Sequence, residues 1–165
     1  MADVKNGGVK MGKEFTFVTE VTDITHDEDG QVAGAEGYFQ VPLLSELEDP
    51  KHPMHYLSAH FPGNVVMPGN LQGEALDQLF GYVATQIPEF SGRPIFLNGH
   101  GEQKFKKIVE PGAKLDLEVT VEQIRRTKIM GNGVARIGGE LACSSAGIVL
   151  AAPPLELLKK RAGEG

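Results

Sequence analysis

Residues 60–78 read HFPGNVVMPGNLQGEALDQ, a loop that follows a histidine, contains two Pro-Gly turns and opens onto a helix. After the second turn, at Pro68-Gly69, apolar residues recur at helical spacing and predict one long helix that runs to about Gln86. Glu74 interrupts the apolar face of this helix, fourteen residues after His60. A base and a carboxyl group on one turn-and-helix unit suit proton transfer on an organic substrate.

The environment of Glu74 depends on where it lies relative to the apolar stripe that Leu71 and Ala75 share with it. Inside the stripe, a carboxylate must be paired or protonated, and desolvation would raise its pKa toward values useful for a general acid. At the edge of the stripe it would be solvated. The spacing alone leaves both interpretations open.

A lone histidine is more often a surface residue or a satisfied core residue. It is the neighbouring residues that make His60 a candidate functional residue. The backbone amides where the helix starts can polarise a carbonyl group or hold an oxyanion. Base, acid and amide donor together suffice to abstract a proton next to a thioester carbonyl and then expel hydroxide.

The rest of the chain reads mainly as strands. Two apolar alternating stretches form a first hairpin around the turn at 27–30, a helical turn follows near Leu43–Leu47, and the second half continues as antiparallel strands. The strand-like stretches begin at Phe15, Val32, Leu115, Lys128 and Leu141, with Gly138-Gly139 closing the last hairpin. One long central helix wrapped by a strongly twisted antiparallel sheet is an α+β arrangement.

The bulk composition favours one domain over residues 1–165, with residues 1–13 and 153–165 as loose ends. The net charge of −6 argues against a general nucleic-acid partner. The single cysteine, Cys143, fits a reducing compartment, and no stretch has the apolar length of a membrane span or a secretory signal. We therefore expect a cytoplasmic protein with neither membrane nor nucleic-acid partners.

Other candidate sites are weaker. His52, His55 and His60 lie in a segment interrupted by prolines and without cysteine, so a metal site is not expected. Cys143 lies in an apolar strand and is interpreted as a packing residue. No glycine pattern matches a nucleotide-binding loop, and we expect no metal and no nucleotide cofactor.

Positive charge is concentrated within 25 residues of this acidic chain. It belongs either to solvated strand faces or to a docking patch for a small acidic partner. The candidates are Lys104, Lys106, Lys107, Arg125, Arg126 and Lys128.

The stretch from His60 to Gln78 closely resembles the signature of the β-hydroxyacyl-acyl carrier protein dehydratases, which have the hot-dog fold. Weaker similarity extends through Lys104-Phe105, Pro111-Gly112 and residues 126–146. The signature is matched at His60, Phe61, Gly63, Val66, Met67, Pro68, Gly69, Leu71, Glu74 and Gln78.

The resemblance implies roles for individual residues. His60 would take the α-proton of a 3-hydroxyacyl thioester, and Glu74 would act as acid toward the departing 3-hydroxyl, giving the trans-2-enoyl thioester. The Gly69 amide would bind the thioester carbonyl. The orienting residues would be Gln78, Phe61 and Gly63.

The resemblance also implies partners. The base and the acid of one site would come from different protomers of an obligatory homodimer, which could assemble further. The acyl chain would lie in a tunnel along the dimer interface. The substrate would arrive on the phosphopantetheine arm of acyl carrier protein, which the basic residues near the mouth would meet, and no other cofactor would be needed.

Departures from the family pattern leave acyl chain length and trans-2 to cis-3 isomerisation open. Glu74 resembles the branch that only dehydrates, whereas residues 126–131 resemble the branch that also isomerises. Gly73 stands where a bulkier aliphatic residue is usual, and the loop from Pro42 to Ala59 fits neither branch. A hot-dog thioesterase and a catalytically silent acyl-carrier binding module are the alternatives, against which the His60 and Glu74 pair argues.

Overall fold

The structure is a computed structural model that describes residues 12–156. Of the predicted loose ends at residues 1–13 and 153–165, residues 1–11 and 157–165 lie outside this range. The strands are β1 (Glu20–His26), β2 (Val32–Gln40), β3 (Phe96–Gly99), β4 (Gln103–Phe105), β5 (Lys114–Arg125), β6 (Lys128–Ile137) and β7 (Glu140–Ala151). The helices are α1 (Leu44–Leu47) and α2 (Gly69–Thr85), with 3₁₀ turns at Lys13–Phe15, His55–Ala59 and Pro88–Phe90.

Within residues 12–156 the strands form one seven-stranded antiparallel sheet in the order β1-β2-β5-β6-β7-β3. The short strand β4 also pairs with β7, beside β3. Helix α2 packs across this sheet against β2, β5, β6 and β7. The predicted α+β class, the long helix and the hairpin of β6 and β7 are therefore confirmed.

Two glycines in β6 let the helix approach the sheet closely. A Cβ at Gly133 would lie 3.2 Å from the Leu76 side chain, and one at Gly131 would lie 2.7 Å from the Phe80 ring. Leu76 and Phe80 are fully buried, and burying each such side chain contributes about 1.5–3 kcal/mol. The two glycines thus allow the helix to pack closely on the sheet, since any larger residue at these positions would push the helix away.

The first hairpin, of β1 and β2, is confirmed, but the predicted start of its first strand at Phe15 is wrong. Phe15 ends a 3₁₀ turn, and β1 begins only at Glu20. Phe17 is fully buried, and its N–H donates to Oε1 of Gln78 at 2.8 Å. A helix side chain therefore takes the place of a neighbouring strand, so the alternating aromatics reflect core packing rather than sheet pairing.

The segment between β2 and α2 closes one end of the core. Its predicted helical turn is α1, and Leu47, Met54 and Leu57 are buried beneath the segment. His55 Nδ1 lies 2.7 Å from the Leu47 carbonyl oxygen. His52 accepts the Met54 N–H at 3.1 Å through Nδ1. Both histidines stabilise this irregular backbone locally.

Within the described part of the chain, no helix combines the length and hydrophobicity that crossing a bilayer requires.

Candidate active site

His60 lies in a tight loop that closes on itself before the long helix. The backbone N–H of Val66 donates to the His60 carbonyl at 2.7 Å, and the N–H groups of Phe61 and Asn64 each donate to the other residue's carbonyl. Gly63 has φ +79°, a conformation that residues with a side chain rarely adopt. The role of Gly63 is therefore to shape the loop that presents His60.

The orientation of the His60 ring is set from two sides. Its Nδ1 lies 3.1 Å from the Val66 carbonyl oxygen, and its ring stacks on Phe61 with centroids 4.1 Å apart. A carbonyl oxygen only accepts, so this hydrogen bond places the proton on Nδ1. The neutral ring then has its lone pair on Nε2, as a general base requires. Phe61 is 57% exposed, so it supports the ring from the solvent side.

Helix α2 begins at Gly69, which supplies a free amide. Neither the Gly69 nor the Asn70 N–H donates to an acceptor within residues 12–156. The Phe105 ring lies over Gly69, 3.1 Å from where a Cβ would be. Gly69 therefore combines a helix N-terminal donor with contact to an aromatic ring, and a larger residue would displace that ring.

Glu74 lies at the edge of the apolar stripe, half-buried, rather than inside it. Gln78, one turn further along, donates from Nε2 to Glu74 Oε1 at 3.0 Å and to the Phe15 carbonyl at 3.0 Å. Its Oε1 accepts the Phe17 N–H. The Gln78 amide therefore holds one carboxyl oxygen of Glu74 and leaves Oε2 available.

The sequence reading missed the buried carboxyl of this helix, Asp77. Its side chain is 8% exposed, and Oδ1 has no hydrogen-bond partner in the described residues. Burial raises the pKa of Asp77 from its ordinary 3.8 to about 6, while the charge of His100 lowers it and that of Glu74 raises it. The buried carboxyl group of this helix is therefore Asp77, three residues after Glu74.

Cys143 is a packing residue, as predicted. Its side chain is fully buried, and burial, followed by the nearby charge of Asp77, raises the pKa of its thiol to about 11. A thiol with so high a pKa is protonated at neutral pH and is a poor nucleophile. Within residues 12–156, no three potential ligand side chains are grouped to hold a metal ion.

The basic residues do not form one patch. Lys104 pairs with Ser144 of β7, whereas Lys128 pairs with Ala151 of the same strand. Seven residues of strand separate these partners, about 23 Å. The group around Lys104 flanks Phe105 and so lies on the side of Gly69. The group around Lys128 lies at the far end of β7.

The first basic group is partly neutralised. Lys104 forms an ion pair with Glu102 at 2.8 Å, and Lys107 forms one with Glu140. Lys106 is exposed and takes part in none of the ion pairs found within residues 12–156.

Comparison with known proteins gives the family. The model of the FabA-like domain matches residues 11–146, and the chain belongs to this family. The chain is 40% identical over 132 residues to the 3-hydroxyacyl-[acyl-carrier-protein] dehydratase FabZ of Bacillus velezensis, covering 79% of this chain and 83% of that protein. It is 43% identical over 88 residues to the FabZ of Ligilactobacillus salivarius, covering 53% of this chain. That match spans 63% of the relative's length, a little under two thirds.

The fold is found among solved structures as well. The dehydratase heterocomplex ApeI:P from Xenorhabdus doucetiae superposes with a TM-score of 0.67 at 13% identity, covering 90% of this chain and 91% of the other. The hot-dog fold that the motif resemblance implied is thereby confirmed.

Proposed function

We propose that the protein dehydrates 3-hydroxyacyl thioesters carried on acyl carrier protein, in the synthesis of fatty acids or related lipids or polyenes. The observation that carries the proposal is the His60 ring, whose bond from Nδ1 to the Val66 carbonyl leaves Nε2 as a base. Membership of the FabA-like family and the names of the relatives support the same reaction.

The reaction assigns one task to each group. Nε2 of His60 takes a proton from the carbon next to the thioester carbonyl, and the electron pair moves onto the carbonyl oxygen. The Gly69 N–H stabilises that oxyanion, as preorganised donors do. The electrons then form the double bond, the bond from carbon to the 3-hydroxyl breaks, and the hydroxyl leaves as water with a proton from Glu74.

Gln78 positions the acid in this scheme. Its amide donates to Glu74 Oε1, which leaves Oε2 as the oxygen that would carry the transferred proton. Phe61 stacks on the base and so fixes the plane from which Nε2 acts. Both are positioning residues.

We further propose that the active unit is a homodimer in which His60 and Glu74 of one site come from different protomers. Edge strand β3 exposes Phe96 at 48% and Leu97 at 46%, and Ile108 beyond β4 is 67% exposed. An apolar edge strand is a ready surface for pairing with a second copy.

The proposed partner is acyl carrier protein, which would dock on the group of Lys104, Lys106 and Lys107 because it flanks Phe105 and Gly69. This reaction needs no metal or nucleotide. A cytoplasmic site of action belongs to the same proposal.

The dehydratase is tested with 3-hydroxyacyl-carrier-protein substrates of graded length, followed by mass spectrometry. We expect loss of one water in the wild type and in the control His26→Ala, whose histidine is exposed on β1. We expect no loss in His60→Ala. Intact substrate with the folded wild type would favour a silent binding module, and free acid with unloaded carrier would favour a thioesterase.

The shared site is tested by mixing two inactive variants, His60→Ala and Glu74→Gln. If each site uses residues of both protomers, a mixed dimer has one site with both native residues and one site with neither. Random exchange makes about half of the dimers mixed, so activity should return to about a quarter of wild type. No recovery in dimers shown to have exchanged would refute the shared site. Glu89→Gln, on an exposed turn, is the matched control for the glutamate change.

A further inference from the structure

The proposed reaction leaves Asp77 without a task. It lies on the helix that carries Glu74 and is almost fully buried, and its Oδ1 has no hydrogen-bond partner among residues 12–156. No ion pair within residues 12–156 includes it. An unpaired buried polar atom is energetically unfavourable, so the group requires an explanation.

The contact between α2 and β4 at Gly69 and Gly73 forms a seam, and Asp77 lies one helical turn beyond it. Gly69, Gly73 and Asp77 are spaced four residues apart and therefore share one helix face. The Phe105 ring lies over Gly69, and the Gln103 amide lies over Gly73, with Nε2 2.5 Å from where a Cβ would be. Gly73 is thus the residue that lets a polar side chain enter the seam.

Residues of strand β7 that pair with β4 also contribute to the seam. Gln103 pairs with Ser145 and Phe105 with Cys143, and residues opposite each other in a sheet point to the same face. Gln103 Nε2 donates to Ser145 Oγ at 3.3 Å, and Ser145 is fully buried. The seam is aromatic next to Gly69 and polar at Gln103 and Ser145.

We propose that Asp77, Gln103 and Ser145 form a polar subsite that selects acyl chains carrying an additional hydroxyl group far from the thioester. The inference rests on the proposed function, which places the thioester carbonyl at the Gly69 amide. Gly69 and Asp77 are eight residues apart, about 12 Å along the helix. The hydroxyl therefore lies on a distal carbon of a medium-length chain.

The hydrogen-bonding capacity of the three side chains matches a hydroxyl. Its O–H donates to Asp77 Oδ1, and its oxygen accepts from the Gln103 amide or the Ser145 hydroxyl. A plain alkyl chain satisfies none of these groups and leaves Oδ1 unpaired. Sites that hydrogen-bond a substrate hydroxyl discriminate against the analogue without it, for this reason.

The experiment uses two non-reacting acyl-pantetheine amides of equal chain length, one of which carries a distal hydroxyl. Their binding to the full chain is measured by calorimetry, beside turnover of the matching carrier-protein thioesters. We expect the wild type to bind the hydroxylated analogue roughly tenfold more tightly or better. The ratio of the two binding affinities should fall to about one in Asp77→Leu. It should persist in the control Asp116→Leu, whose carboxylate is exposed on β5.

The ratio is measured within each variant, and Ser145→Ala and Gln103→Leu test the same subsite if Asp77→Leu fails to fold. Equal binding of the two analogues by the wild type would overturn the inference, as would a preference that survives all three changes. A preference in binding without any turnover would refute the dehydratase and leave the subsite standing. Turnover of both substrates without a preference in binding would support the dehydratase and refute the subsite.

Discussion

Replacement of Asp77 by Asn should stabilise the protein in a way that depends on pH. Asn keeps the shape of the side chain and carries no charge, so it removes only the penalty of burying a carboxylate. The folded state holds the pKa of Asp77 near 6, against 3.8 for the free side chain. Between these values the folded state binds more protons than the unfolded state, so wild-type stability falls as pH rises.

The magnitude follows from the difference between the two pKa values. A difference of about two units corresponds to about 3 kcal/mol, at 1.36 kcal/mol per unit. The penalty is almost absent below about pH 3, grows through the interval between the two pKa values and is nearly complete above about pH 7. Burial of Asp77 sets most of this penalty, the charge of His100, in the connection from β3 to β4, reduces it, and the charge of Glu74 on the same helix adds to it. The Cys143 thiol stays neutral over this range.

Urea unfolding of wild type and Asp77→Asn from pH 4 to pH 8, at fixed protein concentration, measures the effect. We expect the free energy of unfolding of the variant, relative to wild type, to rise by about 2.5 kcal/mol across this range. The control Asp116→Asn removes an exposed carboxylate paired with Lys114 and should show no such rise. A difference that is constant with pH, or that grows toward acid, would refute the burial of a charged Asp77.

Three further predictions concern stability and docking. Gln78→Leu should lower the free energy of unfolding by about 2–4 kcal/mol, because it removes three hydrogen bonds, and urea unfolding will measure it. Gly131→Ala should lower the free energy of unfolding by about 3 kcal/mol, since its Cβ would lie 2.0 Å from the Thr120 carbonyl oxygen of β5 and 2.7 Å from the Phe80 ring of the helix. Gly81→Ala, whose Cβ would meet no atom of the described residues within 4 Å, should raise it by about 0.5–1 kcal/mol, and equal effects in urea unfolding would contradict the close packing at Gly131. Lys106→Glu should raise KM for acyl-carrier substrates at low salt and leave kcat unchanged, while Lys128→Glu, at the far end of β7, should not.

The long helix and the hairpins were predictable because their signal is local. The spacing from Gly69 to Thr85 has the period of a helix, and the β6 and β7 strands alternate around the turn at Gly138-Gly139. His60 and Gly69 could be identified for the same reason, since a loop with two Pro-Gly turns indicates an irregular backbone before a helix.

The predictions from sequence were wrong where tertiary contacts determine the local structure. Phe15 and Phe17 alternate like a strand, yet the partner of their backbone is a side chain sixty residues away. The sequence suggests a solvated helix residue at Asp77, and the packing of the helix onto the sheet buries it. The basic residues are close in sequence but lie at opposite ends of β7, because strands carry the chain away from its starting point.

The three bonds of the Gln78 amide have a consequence for the order of folding. The side chain joins the segment before β1, the long helix and the Glu74 carboxyl. Contacts between distant parts of a chain generally form late, because closing a long loop is entropically unfavourable. Helix and sheet can therefore assemble while Glu74 is still unrestrained, and catalytic competence would appear only when the amino-terminal segment docks. Recovery of activity on refolding should accordingly lag behind recovery of secondary structure.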